Sequence, residues 1–260
     1  MKNNFDISKI TQLPDAVYSL PHCPKGINIF VIGGGGTASW LVPLALRLTK
    51  YGKVFPNIKI TVIDGDHLET KNLGRQNFHQ KYLNQNKAKA LSETWGSFVG
   101  YPVAYIDKFL YSAEEMRNVF CPSTGELPII MGCVDSIPCR YEINKLFKDP
   151  ASPRMLWIDA GNREKDGQVI IADNRDERFP TIVDLNPDLF TEENIQKERE
   201  SEMSCAEHTE ENIQNMTANV HAATYQFEIL STLLGGGSID FSCLTFDTKN
   251  MVFTKQELKY

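Results

Sequence analysis

No two of the six cysteines stand as Cys-x-x-Cys, which excludes a zinc site of the usual spacing. There is no run of about 18 apolar residues, so there is no membrane-spanning stretch to assign. The opening residues, MKNNFDISKI, lack the apolar core of a signal peptide. A cytoplasmic protein is the expectation, a setting in which disulfides are rare. Positive charge is not in excess either: 27 Lys and Arg face 33 Asp and Glu, a formal net charge of −6. That balance argues against nonspecific nucleic-acid binding. The acid is concentrated, with ten acidic residues between positions 184 and 211 against only Lys197 and Arg199. Internal repeats and low-complexity tracts are absent.

What is present centres on residues 27–91. Residues 29–32 are a short apolar, mostly β-branched run, the pattern of a buried parallel strand. Four glycines follow, spaced Gly33-x-Gly35-Gly36-x-Ala38, and then Leu41, Leu44, Ala45 and Leu48 at helical spacing. Strand, glycine turn and helix form the first half of a nucleotide-binding βαβ unit. Such a turn lets backbone N–H groups approach a phosphate at the helix N-terminus, where the helix dipole also favours an anion. Pro43 is placed in the first turn of that helix, where a missing N–H is tolerated. A second strand, 58–63, ends in Asp64-Gly65-Asp66, acids suited to the ribose hydroxyls of a nucleotide.

Glycine turns of this kind serve many cofactors, so the residues that follow decide more. Asn72, Arg75, Gln76 and Lys87 come soon after the acids. A dinucleotide dehydrogenase leaves such a cationic group unexplained, whereas a protein handling a triphosphate needs it to stabilise phosphate charge. Arg75 offers a planar fork for phosphate oxygens and Lys87 a point charge.

Taken together, Gly-x-Gly-Gly-x-Ala, Asp-x-Asp, Asn-Leu-x-Arg-Gln and the following Lys resemble the ThiF/MoeB family, the adenylating family that includes the ubiquitin-activating enzymes. The wording DGDHLETKNLGRQNF looks most like the ThiF-type proteins of bacterial PRTRC gene systems. The resemblance implies a Rossmann-like α/β fold, with a mostly parallel sheet flanked by helices and antiparallel strands at the C-terminus. It implies ATP and Mg²⁺ as cofactors, a homodimer, and a ubiquitin-like or sulfur-carrier β-grasp protein as the partner whose C-terminal carboxylate is adenylated. Many family members carry two Cys-x-x-Cys pairs, and this sequence departs from them. It also has no Arg before Arg47 to reach across to a partner subunit's nucleotide.

By the same pattern Gly33, Gly35, Gly36, Asp64, Asp66, Asn72, Arg75, Gln76 and Lys87 form the nucleotide site, with Arg75 and Lys87 catalytic. A later apolar strand, 127–133, ends in Val134-Asp135-Ser136. An acid at that strand end points into the ligand crevice. The resemblance makes Asp135 a catalytic residue and the Mg²⁺ ligand; alternatively Asp135 or Ser136 caps the helix over about 138–147.

The remaining segments follow from pattern. Helices are predicted over about 86–98 and 112–119, strands over 103–106, 155–160 and 168–172, the last two paired through a turn at Gly167. Residues 188–204 show no sustained apolar period and read as part of an exposed, mobile crossover over about 184–205. Ile213, Met216, Val220, Ala223, Phe227, Leu230 and Leu234 mark the most regular helix of the chain, and 239–246 and 251–254 a closing hairpin. The resemblance makes 27–260 one adenylation domain, with residues 1–26 an N-terminal segment ahead of it.

Cys205 stands at the foot of the long helix, where family members often carry the cysteine that takes the acyl group or a persulfide. A helix N-terminus and His208 favour a reactive thiol, the neighbouring acids oppose it, and Ser204 to Glu207 also fits a plain capping box. Two other functions share part of the pattern: an NAD(P)-dependent Rossmann oxidoreductase, and a non-catalytic nucleotide-binding adaptor.

Overall fold

The structure is a computed structural model, described over residues 17–20, 25–55, 57–120, 125–203 and 216–258. Eight strands form one sheet in the order β3-β2-β1-β4-β5-β6-β7-β8. The first five are parallel: β1 (Gly26–Ile32), β2 (Ile58–Ile63), β3 (Ala104–Ile106), β4 (Glu126–Gly132) and β5 (Leu156–Asn162). The last three, β6 (Asp166–Asp173), β7 (Phe241–Asp247) and β8 (Val252–Glu257), are antiparallel. The sheet therefore has the mostly parallel, Rossmann-like character expected of the sequence, and it closes with antiparallel strands.

The chain order reverses between β1 and β4, which lie side by side with β2 on the far side of β1. At such a switch point the connections leave the strand ends in opposite directions and open a crevice there. β1 is buried along its whole length; its one polar side chain, Asn28, donates to Glu126 at 2.8 Å, and the apolar run 29–32 fills the rest.

Helices α1 (Gly36–Tyr51), α2 (Lys87–Val99) and α7 (Met216–Leu234) bury Leu41, Leu46, Leu91, Ala222 and Leu230 in one apolar layer with Ile27, Ile29 and Val31. The opposite layer packs Phe30, Ile32 and Trp157 against α3 (Ala113–Phe120) and α4 (Ile137–Lys148). Alternate residues of each central strand feed alternate layers, as the two-residue period of a strand dictates.

Three expectations are corrected. Pro43 is not in the first turn of α1, which begins at Gly36, but inside the helix. Gly167 is not in the β5–β6 turn but within β6, paired with Asn162. Much of the predicted irregular crossover is helical: α5 (Ile182–Leu185) opens with a Thr181–Asp184 capping box, and α6 (Glu192–Met203) follows. The charged sequence of α6 hides its docking, which rests on buried Ile195 and polar bonds to α4. Glu198 accepts the Ile137 N–H at 2.8 Å, and Arg199 reaches Glu142. No described helix is long and apolar enough to cross a membrane.

Candidate active site

The crevice at the carboxyl ends of β1, β2 and β4 collects most of the residues singled out by sequence. Gly33 leaves β1 with φ of 90°, and a Cβ there would stand 2.7 Å from the Cys133 carbonyl oxygen and 2.8 Å from Val134 Cγ1. Only glycine turns the chain at this point without strain or collision. The turn delivers the N-terminus of α1 with no side-chain cap, so its first N–H groups lack the usual acceptor and are available to an anion.

Asp64, 7% exposed, holds this turn. One carboxylate oxygen accepts the Gly34 N–H and the other accepts the Asp66 N–H at 2.7 Å. Burial raises its pKa, and the charge of Lys87 works against that rise. Each oxygen retains a second lone pair for a hydroxyl. Asp66 is exposed, and its carboxylate receives the Lys87 ammonium at 2.9 Å, while the Lys87 side chain itself is only 10% exposed. Asn86 ties the two segments together. Its amide donates to the carbonyls of Asp64 and Asp66 at 2.7 and 3.1 Å, and its oxygen caps α2 through the Lys89 N–H.

The Asn-Leu-Gly-Arg-Gln segment lies across the start of α1. Asn72 is buried, and its side-chain oxygen accepts the Glu69 N–H at 2.9 Å, closing a 3₁₀ turn over Thr70–Asn72. Its observed contact is thus inside the loop. Gln76 is buried, with Nε2 3.8 Å from where a Cβ on Gly35 would stand and with Oε1 lacking a hydrogen-bond partner among the described residues. Arg75 is half-buried, and its carbonyl accepts the Trp40 indole N–H at 3.3 Å.

At the end of β4 the two capping alternatives separate. Ser136 caps α4 by accepting the Cys139 N–H at 3.1 Å, whereas Asp135 is exposed and makes no hydrogen bond among the described residues. Among the described residues no three His, Cys, Asp or Glu side chains come together to hold a metal. A single exposed carboxylate, here within the field of the Arg140 guanidinium, fits Mg²⁺, which characteristically takes one or two carboxylates and leaves its other positions to phosphates and water. Cys205 lies outside the described residues.

Several residues at this end of the sheet were not picked out by sequence. Arg140 and Asp159, both buried, pair at 3.0 Å, and Arg140 also donates to the Ala160 carbonyl at 3.0 Å. Burial raises the pKa of Asp159, and Arg140 opposes that rise. Gln226 of α7 spans β4 and β5, donating to the Gly132 and Ile158 carbonyls at 2.9 and 3.0 Å. These bonds occupy the last carbonyl of β4 and one within β5. Phe109, half exposed, lies against Gly65, where a Cβ would come within 2.5 Å of its ring. The only sequence signal for Phe109 was its position just beyond β3. The Arg140–Asp159 and Gln226 contacts had none, because their partners are far apart in the chain.

A family model described as ThiF family matches residues 25–260. Among solved structures, PaaA is similar at 16% identity with a TM-score of 0.62, covering 90% of this chain and 65% of that one. Escherichia coli MccB with ATP gives 15% identity and a TM-score of 0.62, over 90% of this chain and 64% of that one. The microcin C7 biosynthetic enzyme MccB in complex with N-formylated MccA gives 15% and 0.61, over 90% and 65%. At these identities the likeness is one of fold, and the chain spans slightly less than two thirds of the length of these proteins. No curated protein sequence matches the chain.

Proposed function

The chain belongs to the ThiF family, and on that premise we propose that it is an ATP-dependent adenylating enzyme acting on the C-terminal carboxylate of a ubiquitin-like or sulfur-carrier β-grasp protein. The observation that carries this reading is the uncapped, glycine-rich start of α1, with Asp64 and Lys87 at its side and the Arg75 loop across it. In the proposed reaction a carboxylate oxygen attacks the α-phosphorus of ATP. A P–O bond forms, the bond to pyrophosphate breaks, and the product is the acyl adenylate. The carboxylate is already ionised at neutral pH, so no general base is needed. Asp64 takes ribose hydroxyls with its free lone pairs. The α1 N-terminus and Arg75 hold phosphate oxygens, and Lys87 exchanges Asp66 for the phosphates. These fixed charges stabilise the negative charge that moves to the leaving group. Mg²⁺, carried on Asp135, would supply further phosphate neutralisation when bound.

A second substrate class is a peptide carboxylate, a reading prompted by the fold likeness to MccB, which is seen in complex with N-formylated MccA. In either case the enzyme works as a homodimer in the cytoplasm, as one adenylation domain over 27–260 preceded by the segment 1–26, with a crossover at about 184–205 that is helical over α5 and α6. Transfer of the acyl group to Cys205 follows adenylation. The finer placement among ThiF-type proteins of PRTRC gene systems rests on the DGDHLETKNLGRQNF wording alone.

The test is ATP–pyrophosphate exchange with candidate β-grasp carriers and with peptides ending in a free carboxylate. Exchange that depends on one of them, and that is lost in folded Asp135→Ala, is the expected result. Tighter binding of NAD than of Mg-ATP by calorimetry would refute the reading.

A further inference from the structure

Pro43 in the interior of α1 has a consequence for the loop that carries Arg75. A helical residue normally donates its N–H to the carbonyl four positions back, and proline has no N–H to donate. The carbonyl left without its helical donor is that of Ser39, a residue with 0% exposure. A buried carbonyl in that position needs another donor. The structure supplies one from the loop: Asn77 Nδ2 donates to the Ser39 carbonyl at 3.4 Å. The same two residues join again, because the Asn77 N–H donates to Ser39 Oγ at 2.9 Å and Ser39 Oγ–H donates to the Gly36 carbonyl at 2.8 Å. One residue further along, the Trp40 indole N–H donates to the Arg75 carbonyl at 3.3 Å. The loop is therefore fastened to the first turns of α1 at Arg75 and at Asn77, on either side of Gln76.

We propose that Ser39 and Asn77 are positioning residues for Arg75: by clamping residues 75–77 onto α1, they hold the Arg75 guanidinium at a fixed place relative to the α1 N-terminus. The clamp exists because Pro43 frees the carbonyl that Asn77 reads. This rests on the reading that Arg75 grips nucleotide phosphate. A guanidinium on an untied loop would have to be ordered at each binding event, and that ordering would weaken binding.

The experiment uses the full chain. In Asn77→Ala, amide hydrogen exchange over residues 72–77 should accelerate, the melting temperature should fall, and Mg-ATP should bind about two- to fivefold more weakly by calorimetry, the size of one lost part-buried hydrogen bond. Pro43→Ala restores an N–H to close the Ser39 carbonyl within α1. The double variant Pro43→Ala/Asn77→Ala should therefore recover melting temperature while ATP binding stays weak, since the side-chain tie between loop and helix is still missing and only the Asn77 N–H and the Arg75 carbonyl hold the loop. In an Arg75→Ala background, adding Asn77→Ala should cost no further affinity. If Asn77→Ala does not fold, Asn77→Asp, of equal size with an acceptor in place of the donor, is expected to give the same pattern. Wild-type affinity in Asn77→Ala, or recovery of affinity together with melting temperature in the double variant, overturns the clamp and leaves Asn77 as carbonyl filler. A wild type that binds Mg-ATP but exchanges with no carboxylate overturns adenylation while the affinity series still decides the clamp. A wild type that binds no Mg-ATP overturns both.

Discussion

Replacing Lys87 with methionine should do more than remove a phosphate ligand; it should make stability depend on pH in a particular direction. The side chain is only 10% exposed, so methionine fills the space, and what is lost is the charge. That charge does two things. It pairs with Asp66, which is 56% exposed, a contact worth up to about 1 kcal/mol. It also offsets the burial of Asp64, whose pKa burial raises. Removing one partner of a fully buried pair costs about 3–5 kcal/mol, an upper bound here because Asp64 keeps two backbone N–H donors. A net loss of about 2 kcal/mol near neutral pH is expected, or about 4–8 °C in melting temperature for a chain of this size. The sign follows from linkage. Without Lys87 the folded-state pKa of Asp64 climbs further above its unfolded value. A carboxyl raised in this way favours the folded state at low pH, and that stability is lost as pH rises through the folded pKa. The melting-temperature gap between wild type and Lys87→Met should accordingly widen from pH 5 to pH 8, followed by circular dichroism, and Mg-ATP binding should be lost at both. A gap that stays constant or narrows with rising pH would show that Lys87 does not compensate Asp64.

Phe109 lies against Gly65, beside Asp64, so the adenine of ATP is expected to pack on its ring: Phe109→Ala should raise the KM for ATP about three- to tenfold with little change in kcat, consistent with loss of an aromatic contact worth about 1 kcal/mol, and Phe109→Trp should keep the wild-type KM; an unchanged KM in Phe109→Ala would place the adenine elsewhere. Glu142, where burial pushes the pKa up but Lys145, the Ala113 N–H and Arg199 outweigh it, has a lowered pKa. Its contribution to stability is present above the unfolded glutamate pKa and is lost as pH falls through the folded one, so Glu142→Gln should flatten the acid limb of the thermal-stability profile. Cys205→Ala should keep ATP–pyrophosphate exchange yet lose any reducible conjugate with the carrier on non-reducing gels, whereas Lys87→Ala should lose both. A conjugate that persists in Cys205→Ala assigns the transfer to another residue or protein.

Local pattern carried a good deal of this protein. Strand β2 was readable to the residue, because Ile58, Ile60, Val62 and Ile63 are β-branched and buried while Lys59 between them is exposed, the alternation a strand near the sheet edge leaves in its sequence. The glycine turn announced itself because few other residues can take its backbone or tolerate its crowding at Gly33. The carboxyl ends of β2 and β4 were legible for the same reason, an apolar run that stops abruptly at an acid. Helix α6 was not, since charged bonds to α4 and one buried isoleucine hold it, and neither makes an apolar period. Ser136 and Asp135 stood as equal candidates to cap α4 until backbone geometry gave the cap to Ser136 and left Asp135 in solvent. The pairing of Arg140 with Asp159, the bridge from Gln226 to strands β4 and β5 and the hold of Asn77 on Ser39 join residues 19 to 94 positions apart. The amino acids alone determined which strands and turns form and which chemistry stands at their ends. Tertiary structure decided which polar groups meet, because a hydrogen bond depends on distance and direction in space, and separation along the chain specifies neither.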